Sequence, residues 1–163
     1  MAPMARTRAH EILSGAEGAP VTVRSAPGEH AVLDGATAVG AILTLNGAWT
    51  IFRDFEVTSS AASREDGERR RASGIDVHGA NVKLVNLVVH DFANGIAMGA
   101  DTVDAEVYGN IVYNNGYTGP GGADGHGIFG QNKTGVRKIS DNVVFGQFGS
   151  GIRAYASDEG FLN

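Results

Sequence analysis

The chain has 163 residues, 42% of them hydrophobic and 19% charged, enough for one domain with a sizeable core. A net charge of −5 and a pI of about 5.4 argue against a nucleic-acid partner, which would call for a basic face, although a cation could bridge the chain to an acidic polymer. The absence of cysteine excludes a disulfide framework and thiolate chemistry, and 24 glycines beside 4 prolines predict many tight turns rather than disorder.

Residues 1–18, with "MARTRAHEIL", read as an N-terminal segment or a partial first coil. They hold arginines but no apolar stretch of the signal-peptide kind, and no later run is apolar enough to span a membrane, so no membrane partner is expected. "APVTVRSAPGEHAVLDG" (19–35) reads as a strand, a Pro-Gly turn and a second strand. From there a repeat sets in. Gly-Ile recurs at Gly74-Ile75, Gly95-Ile96, Gly127-Ile128 and Gly151-Ile152, with Ala41-Ile42 as a weaker fifth copy. The spacings are 33, 21, 32 and 24, which implies a constant coil near the smallest value with loops of varying length.

A second element alternates with the first: "FRDFEV" (52–57), "LVNLVV" (84–89), "VYGNIVY" (107–113) and "ISDNVVF" (139–145). Its period of two predicts strands. Phe55, Leu87, Ile111 and Val143 are expected to point inward, as are Val57, Val89, Tyr113 and Phe145. Asp54, Asn86, Asn110 and Asn142 would form a polar ladder from coil to coil. Short strands, glycine corners and no helical stretch predict an all-β, single-stranded parallel β-helix of about five to six coils over residues 19–163. A sandwich would need hairpin signals between paired strands, and "NNG" at 114–116 is the one good candidate.

The stretch 19–35, and more strongly "HGIFGQNKTGVRKISDNVVFGQFGSGIRAYAS" (126–157), resembles right-handed parallel β-helix proteins of the pectate-lyase-like superfamily, its bacterial members in particular. The resemblance runs from about residue 19 to the end. It implies the fold and a polysaccharide as partner, and with that a secreted or extracellular origin, though a cytosolic one stays open. Lyases, hydrolases, epimerases, esterases and binding modules share the scaffold. The chain is short for the group and both ends lack an obvious cap, so open coil ends are expected to be able to pair into a homo-oligomer.

The loops locate a site. "TSSAASREDGERRRAS" (58–73) and "NNGYTGPGGADGH" (114–126) are long, whereas "HDFAN" (90–94) and "GQFGS" (146–150) are short. All four leave from one corner, so a cleft is expected between the long ones, with His90, Asp91 and Asn94 near its floor. With the isoleucines of the repeat inward, Asp76, His78, Ala97, Phe129, Gln131, Arg153 and Tyr155 face outward. Aromatic rings and polar groups on one elongated face suit a sugar polymer. Three residues are candidates for catalysis: His78, His126 and Arg153. Candidates for substrate binding are Asp76, His90, Asp91, Asn94, Phe129, Gln131 and Tyr155.

Each has a plain structural reading as well. His126 stands where other coils have Ser73, Asn94 and Ser150, which favours a polar corner residue, with Asp124 capping the same turn. The functional alternative pairs His126 as base with Asp124 as its orienting carboxylate. His78 and Asp76 share a strand face, as many idle pairs do, and His90-Asp91 suits a tight turn. "RRR" (69–71) reads as a solvated loop or as a wall attracting carboxylated sugars. Tyr117 and Trp49 could stack on sugar, Trp49 fitting better as an anchor of its own coil.

The resemblance also implies calcium, for which Asp76, Asp91 and Asp124 are the candidate ligands, without a dense acidic string to hold it. Three functions stay open: a lyase acting by β-elimination on a uronate polymer, a non-catalytic carbohydrate-binding module, and an assembly unit. A paired-carboxylate glycosidase fits less well, since clustered aspartates are missing.

Overall fold

A computed structural model describes residues 9–36, 40–60, 72–119 and 121–156. The described chain contains no helix and winds through three parallel sheets in turn. The first sheet stacks Ala9–Glu11, Ala41–Leu45, Ser73–Val77, Asn94–Met98, His126–Asn132 and Ser150–Ala156. The second stacks Val21–Arg24, Thr50–Arg53, Lys83–Val85, Glu106–Tyr108 and Lys138–Ser140. The third stacks Val32–Asp34, Glu56–Thr58, Val88–His90, Ile111–Tyr113 and Val143–Phe145. This is a parallel β-helix of five complete coils and the first strand of a sixth. "RRR" lies outside the described residues.

The Gly-Ile repeat has a steric cause. Leu43, Ile75, Ile96, Ile128 and Ile152 stand in register, and the three in the middle of that row are fully buried. The glycine before each isoleucine sits where coils meet most closely. A Cβ on Gly74 would lie 2.5 Å from the Gly95 carbonyl oxygen, one on Gly95 2.7 Å from that of Gly127, and one on Gly127 2.6 Å from that of Gly151. The register corrects the weaker copy: Ala41 pairs with Ser73, so Ile42 stands at the glycine level and Leu43 at the isoleucine level. Gly35 makes room for Ile42, whose Cδ1 occupies the place a Cβ there would take.

Three corners turn the chain, and each uses left-handed residues in register. Trp49, Asn81 and Asp104 (φ 55°, 55° and 51°) turn it from the first sheet to the second. Asp54, Asn86, Gly109 and Asp141 turn it from the second to the third, and Asp91, Asn114 and Gly146 from the third back to the first. Asn, Asp and Gly tolerate this conformation, whereas a bulky tryptophan pays about 1–3 kcal/mol for it.

The second strand element departs from the expected frame in its last two copies. Leu87 is level with Asn110, and Val89 with Val112 and Val144. Phe55 and Leu87 are buried as expected, as are Val57 and Val89, but Ile111, Val143 and Phe145 are exposed and Tyr113 is half-buried. The polar column divides likewise. Asp54 and Asn86 are left-handed corner residues, joined by an Asn86 Nδ2 to Asp54 Oδ1 bond of 2.9 Å. Asn110 and Asn142 point inward one level further on. Asn110, fully buried, accepts from the Leu87 N–H (2.9 Å) and donates to the Leu84 carbonyl (3.0 Å) and to Asn142 Oδ1 (2.9 Å). Asn115 and Gln147 form a second internal pair: Asn115 accepts from the Phe92 N–H (3.1 Å), and Gln147 from the Asn115 N–H (2.9 Å). Buried amides so satisfied stabilise the coil, and left unpaired they would cost a few kcal/mol.

Candidate functional site

The first sheet and its incoming corner make a cleft of about 510 Å³. Ser73, Asn94, His126 and Ser150 form one cross-coil row, and Thr44, Asp76, Ala97, Phe129 and Arg153 form the row three residues further along. The long insert rises above them as an antiparallel hairpin, Tyr117–Gly119 with Gly122–Asp124. Asp76, Asn94, Tyr117, Asp124, His126, Phe129 and Arg153 all line the cleft. Gly125 closes the insert with φ 90°, and a Cβ there would lie 2.2 Å from the Ala93 carbonyl oxygen. That backbone contact delivers His126 to the cleft.

His126 is 8% exposed, its backbone N–H donating to Asn94 Oδ1 at 3.1 Å. Its ring stacks on Phe129, with centroids 5.5 Å apart. Arg153 Nη1 lies 3.4 Å from His126 Nε2, so the guanidinium donates and Nε2 accepts. Nδ1 is then the protonated nitrogen; it is buried beside the Gly125 backbone and, among the described residues, meets no acceptor in full hydrogen-bond geometry. Burial, and next to it the positive charge of Arg153, push the imidazole pKa down and hold the ring neutral. Asp124 does not orient the histidine: its Oδ1 accepts from the Gly125 N–H at 2.7 Å and its Oδ2 from the Tyr117 hydroxyl at 3.3 Å. The Gly125 bond is the main reason its pKa lies below the ordinary range. Asp124 thus caps the turn. Asp76 behaves oppositely: burial raises its pKa despite the His78 charge and a hydrogen bond from Ser73. The sequence marks Ser73 only as a corner residue, and strict alternation along Ser73–Val77 would put it on the opposite face from Asp76, so that contact left no signal in the sequence.

The remaining candidates separate. Tyr155 meets Phe129 edge-on (5.6 Å), lies under Arg153 (5.7 Å) and accepts from Gln131 Nε2 at 2.6 Å, so Phe129, Gln131, Arg153 and Tyr155 form one interlocked cluster over two adjacent strands. His78 is exposed at the far end of its strand and does not line the cleft. His90 and Asp91 are not on the cleft floor either. Asp91 is a left-handed corner residue, and His90 faces outward on the third sheet. There His90 Nδ1 lies 2.6 Å from Asp91 Oδ2 and Nε2 3.1 Å from Glu56 Oε1, while His30 lies 2.8 Å from Glu56 Oε2. Its ring stacks on Tyr113, which stacks on Phe145. Glu56, whose outward place one coil below His90 was the signal for this network, escaped the sequence reading.

Burial raises the Glu56 pKa, but the bonds from His30 and His90 outweigh it and leave it lowered. A lowered carboxylate pKa stabilises the fold above the ordinary glutamate range and loses that effect as pH falls through the folded value. Urea denaturation at neutral pH and at a pH below the ordinary glutamate range should show it: Glu56→Gln is expected to cost about 0.5–1 kcal/mol at pH 7, with the gap to wild type closing only as pH falls through the lowered Glu56 value.

The calcium set does not converge. Asp91 is held by His90 and by Asn114 Nδ2 (2.9 Å), away from the cleft, and both Asp124 oxygens accept hydrogen bonds. Among the described residues no three His, Asp or Glu side chains are grouped to hold a metal ion.

No protein-family model matches this chain, and no curated protein matches it in sequence. Among solved structures it is similar to the crystal structure of pectate lyase Pel9A, with a TM-score of 0.73 and 19% identity over 96% of this chain. The match covers 39% of that enzyme's chain, so the present chain spans about two fifths of its length. At this identity the likeness shows the fold.

Proposed function

We propose, from the parallel β-helix fold that this chain shares with a pectate lyase, that its cleft takes a uronate-containing polysaccharide and cleaves it by β-elimination. The observation that carries this reading is a guanidinium beside a neutral, buried imidazole in an open cleft, Arg153 on His126 at 3.4 Å. In the free protein Arg153 occupies the Nε2 lone pair. A sugar carboxylate entering the cleft draws the guanidinium to itself in a charge-assisted pair, which frees Nε2. His126 then removes the proton α to that carboxylate, and Arg153 stabilises the negative charge that develops there. The C4–C5 double bond forms as the C4–O bond breaks, and the departing oxygen takes a proton from water. Asp76, two strands from His126, offers its carboxyl to a sugar hydroxyl. No step runs through calcium, because its candidate ligands do not fit the ion. A substrate of plant or microbial cell walls makes the working compartment extracellular.

A panel of uronate and neutral polysaccharides, read by ultraviolet absorbance and gel retardation together, tests this. New absorbance on one uronate polymer is expected, and EDTA should change the rate less than about twofold. Retardation without absorbance would favour the second reading, a binding module, which the bond occupying the histidine lone pair also supports. Neither signal on any polymer would remove both.

A further inference from the structure

Away from the cleft, the corner from the first sheet to the second carries a groove of about 320 Å³ that shares no residue with it. Trp49 sits at one end, in register with the corner residues Asn81 and Asp104. Beside them runs an outward row of Ile51, Lys83, Glu106 and Lys138, one from each successive coil. Lys83 is paired with Glu106 at 2.8 Å, whereas Lys138, at the other end, forms no ion pair among the described residues. Asp104 Oδ1 accepts from the Val136 N–H, its charge acts on the Arg137 guanidinium, and among the described residues no hydrogen bond reaches its second oxygen. Trp49 is half-buried and outside the core, while its backbone bonds the coils on either side, to Ala80 and from Val21. It keeps a left-handed backbone that its equivalents meet with Asn and Asp, residues suited to it. An aromatic ring held there against its own preference, at the mouth of a polar groove, calls for a function.

We propose that this groove is a second, non-catalytic saccharide site, which holds another segment of the same uronate polymer. A pyranose face stacks on the Trp49 indole, hydroxyls bond Asp104 and Asn81, and a sugar carboxylate pairs with Lys138. Adjacent coils repeat at the strand spacing of about 4.8 Å, so Trp49 and Lys138, three coils apart, suit an extended oligomer rather than one sugar. This inference rests on the polysaccharide reading above.

Trp49 is the single tryptophan of the chain, so its emission reports on this groove directly. Titration with an oligogalacturonate is expected to shift that emission to saturation, in wild type and equally in Arg153→Ala, which disables only the cleft. Lys138→Ala should weaken the shift by about fivefold, and a neutral oligomer should bind at least about fivefold more weakly. Trp49→Asn, which suits the left-handed corner, should keep or raise the melting temperature while calorimetry shows the groove binding lost. An emission that stays constant while the cleft still turns over or retards polymer overturns this inference alone. A shift abolished by Arg153→Ala overturns it too, since Trp49 would then be reporting the cleft. Loss of every polysaccharide signal removes the function proposed above along with it.

Discussion

Gly95→Ala is expected to lower the melting temperature by roughly 6–12 °C, the equivalent of about 3 kcal/mol in a chain of this length. The added methyl would stand 2.7 Å from the Gly127 carbonyl oxygen, 2.9 Å from Asn115 Nδ2 and 2.9 Å from Val112 Cγ1. No flexible side chain can swing away to admit it. The oxygen belongs to the next coil's backbone, and the amide is one of the internal pair that ties Phe92 to Gln147. The methyl can enter only by pushing two coils apart, and every coil–coil hydrogen bond nearby lengthens with them. Gly121→Ala is the control, since a Cβ there meets nothing within 4 Å. Thermal denaturation of the two variants decides: equal midpoints would mean that the glycine column is a matter of composition and not of close approach.

Arg153→Ala is expected to reduce kcat/KM on the uronate polymer by about 10²–10³-fold, because the cation that stabilises the developing charge is gone. Its pH profile separates that role from a structural one. The base acts in its neutral form, so activity rises with pH through the His126 pKa, which burial and Arg153 hold below the ordinary histidine value. Removing the guanidinium removes one of the two causes, and the acid limb of the profile should move to higher pH. Arg153→Lys should leave the limb in place and recover part of the rate, since it keeps the charge but not the fork. An unmoved limb in Arg153→Ala would show that His126 does not serve as the base.

The first-sheet strands were legible because one physical demand fixes both their residues: close coil approach selects glycine and the core beside it selects isoleucine. Outward neighbours such as Asp76, Phe129 and Arg153 then follow by alternation, and the structure sets them in one row. The second element was legible as strand but not in frame, because asparagine and aspartate do two jobs there. Asp54, Asn86 and Asp141 supply left-handed corners, while Asn110 and Asn142, next in line, supply internal hydrogen bonds. One-letter patterns do not distinguish a side chain chosen for its backbone from one chosen for its amide. The cleft was half legible: the long insert at 114–126 does rise over it, residues 61–71 of the other long loop lie outside the described residues, and the short loop's His90 and Asp91 turn towards Glu56 and Asn114 instead. Trp49 was marked as a ring that could stack on sugar or anchor its coil, but its left-handed backbone angle left no trace in the sequence.

The inward amides also bear on how the coils find their order. A solenoid of near-identical rungs can stack in the wrong sequence, with one rung skipped, and still bury its aliphatic residues. Here the interior changes character partway along the axis, with Phe55 and Leu87 at the level where later rungs place Asn110 and Asn142. If the rung holding Val143 stacked directly on the one holding Val88, Asn142 would lose the bond that it accepts from the Asn110 side-chain amide and would face Leu87 in its place. The amides therefore number the rungs, and they penalise a misthreaded stack that hydrophobic burial alone would accept.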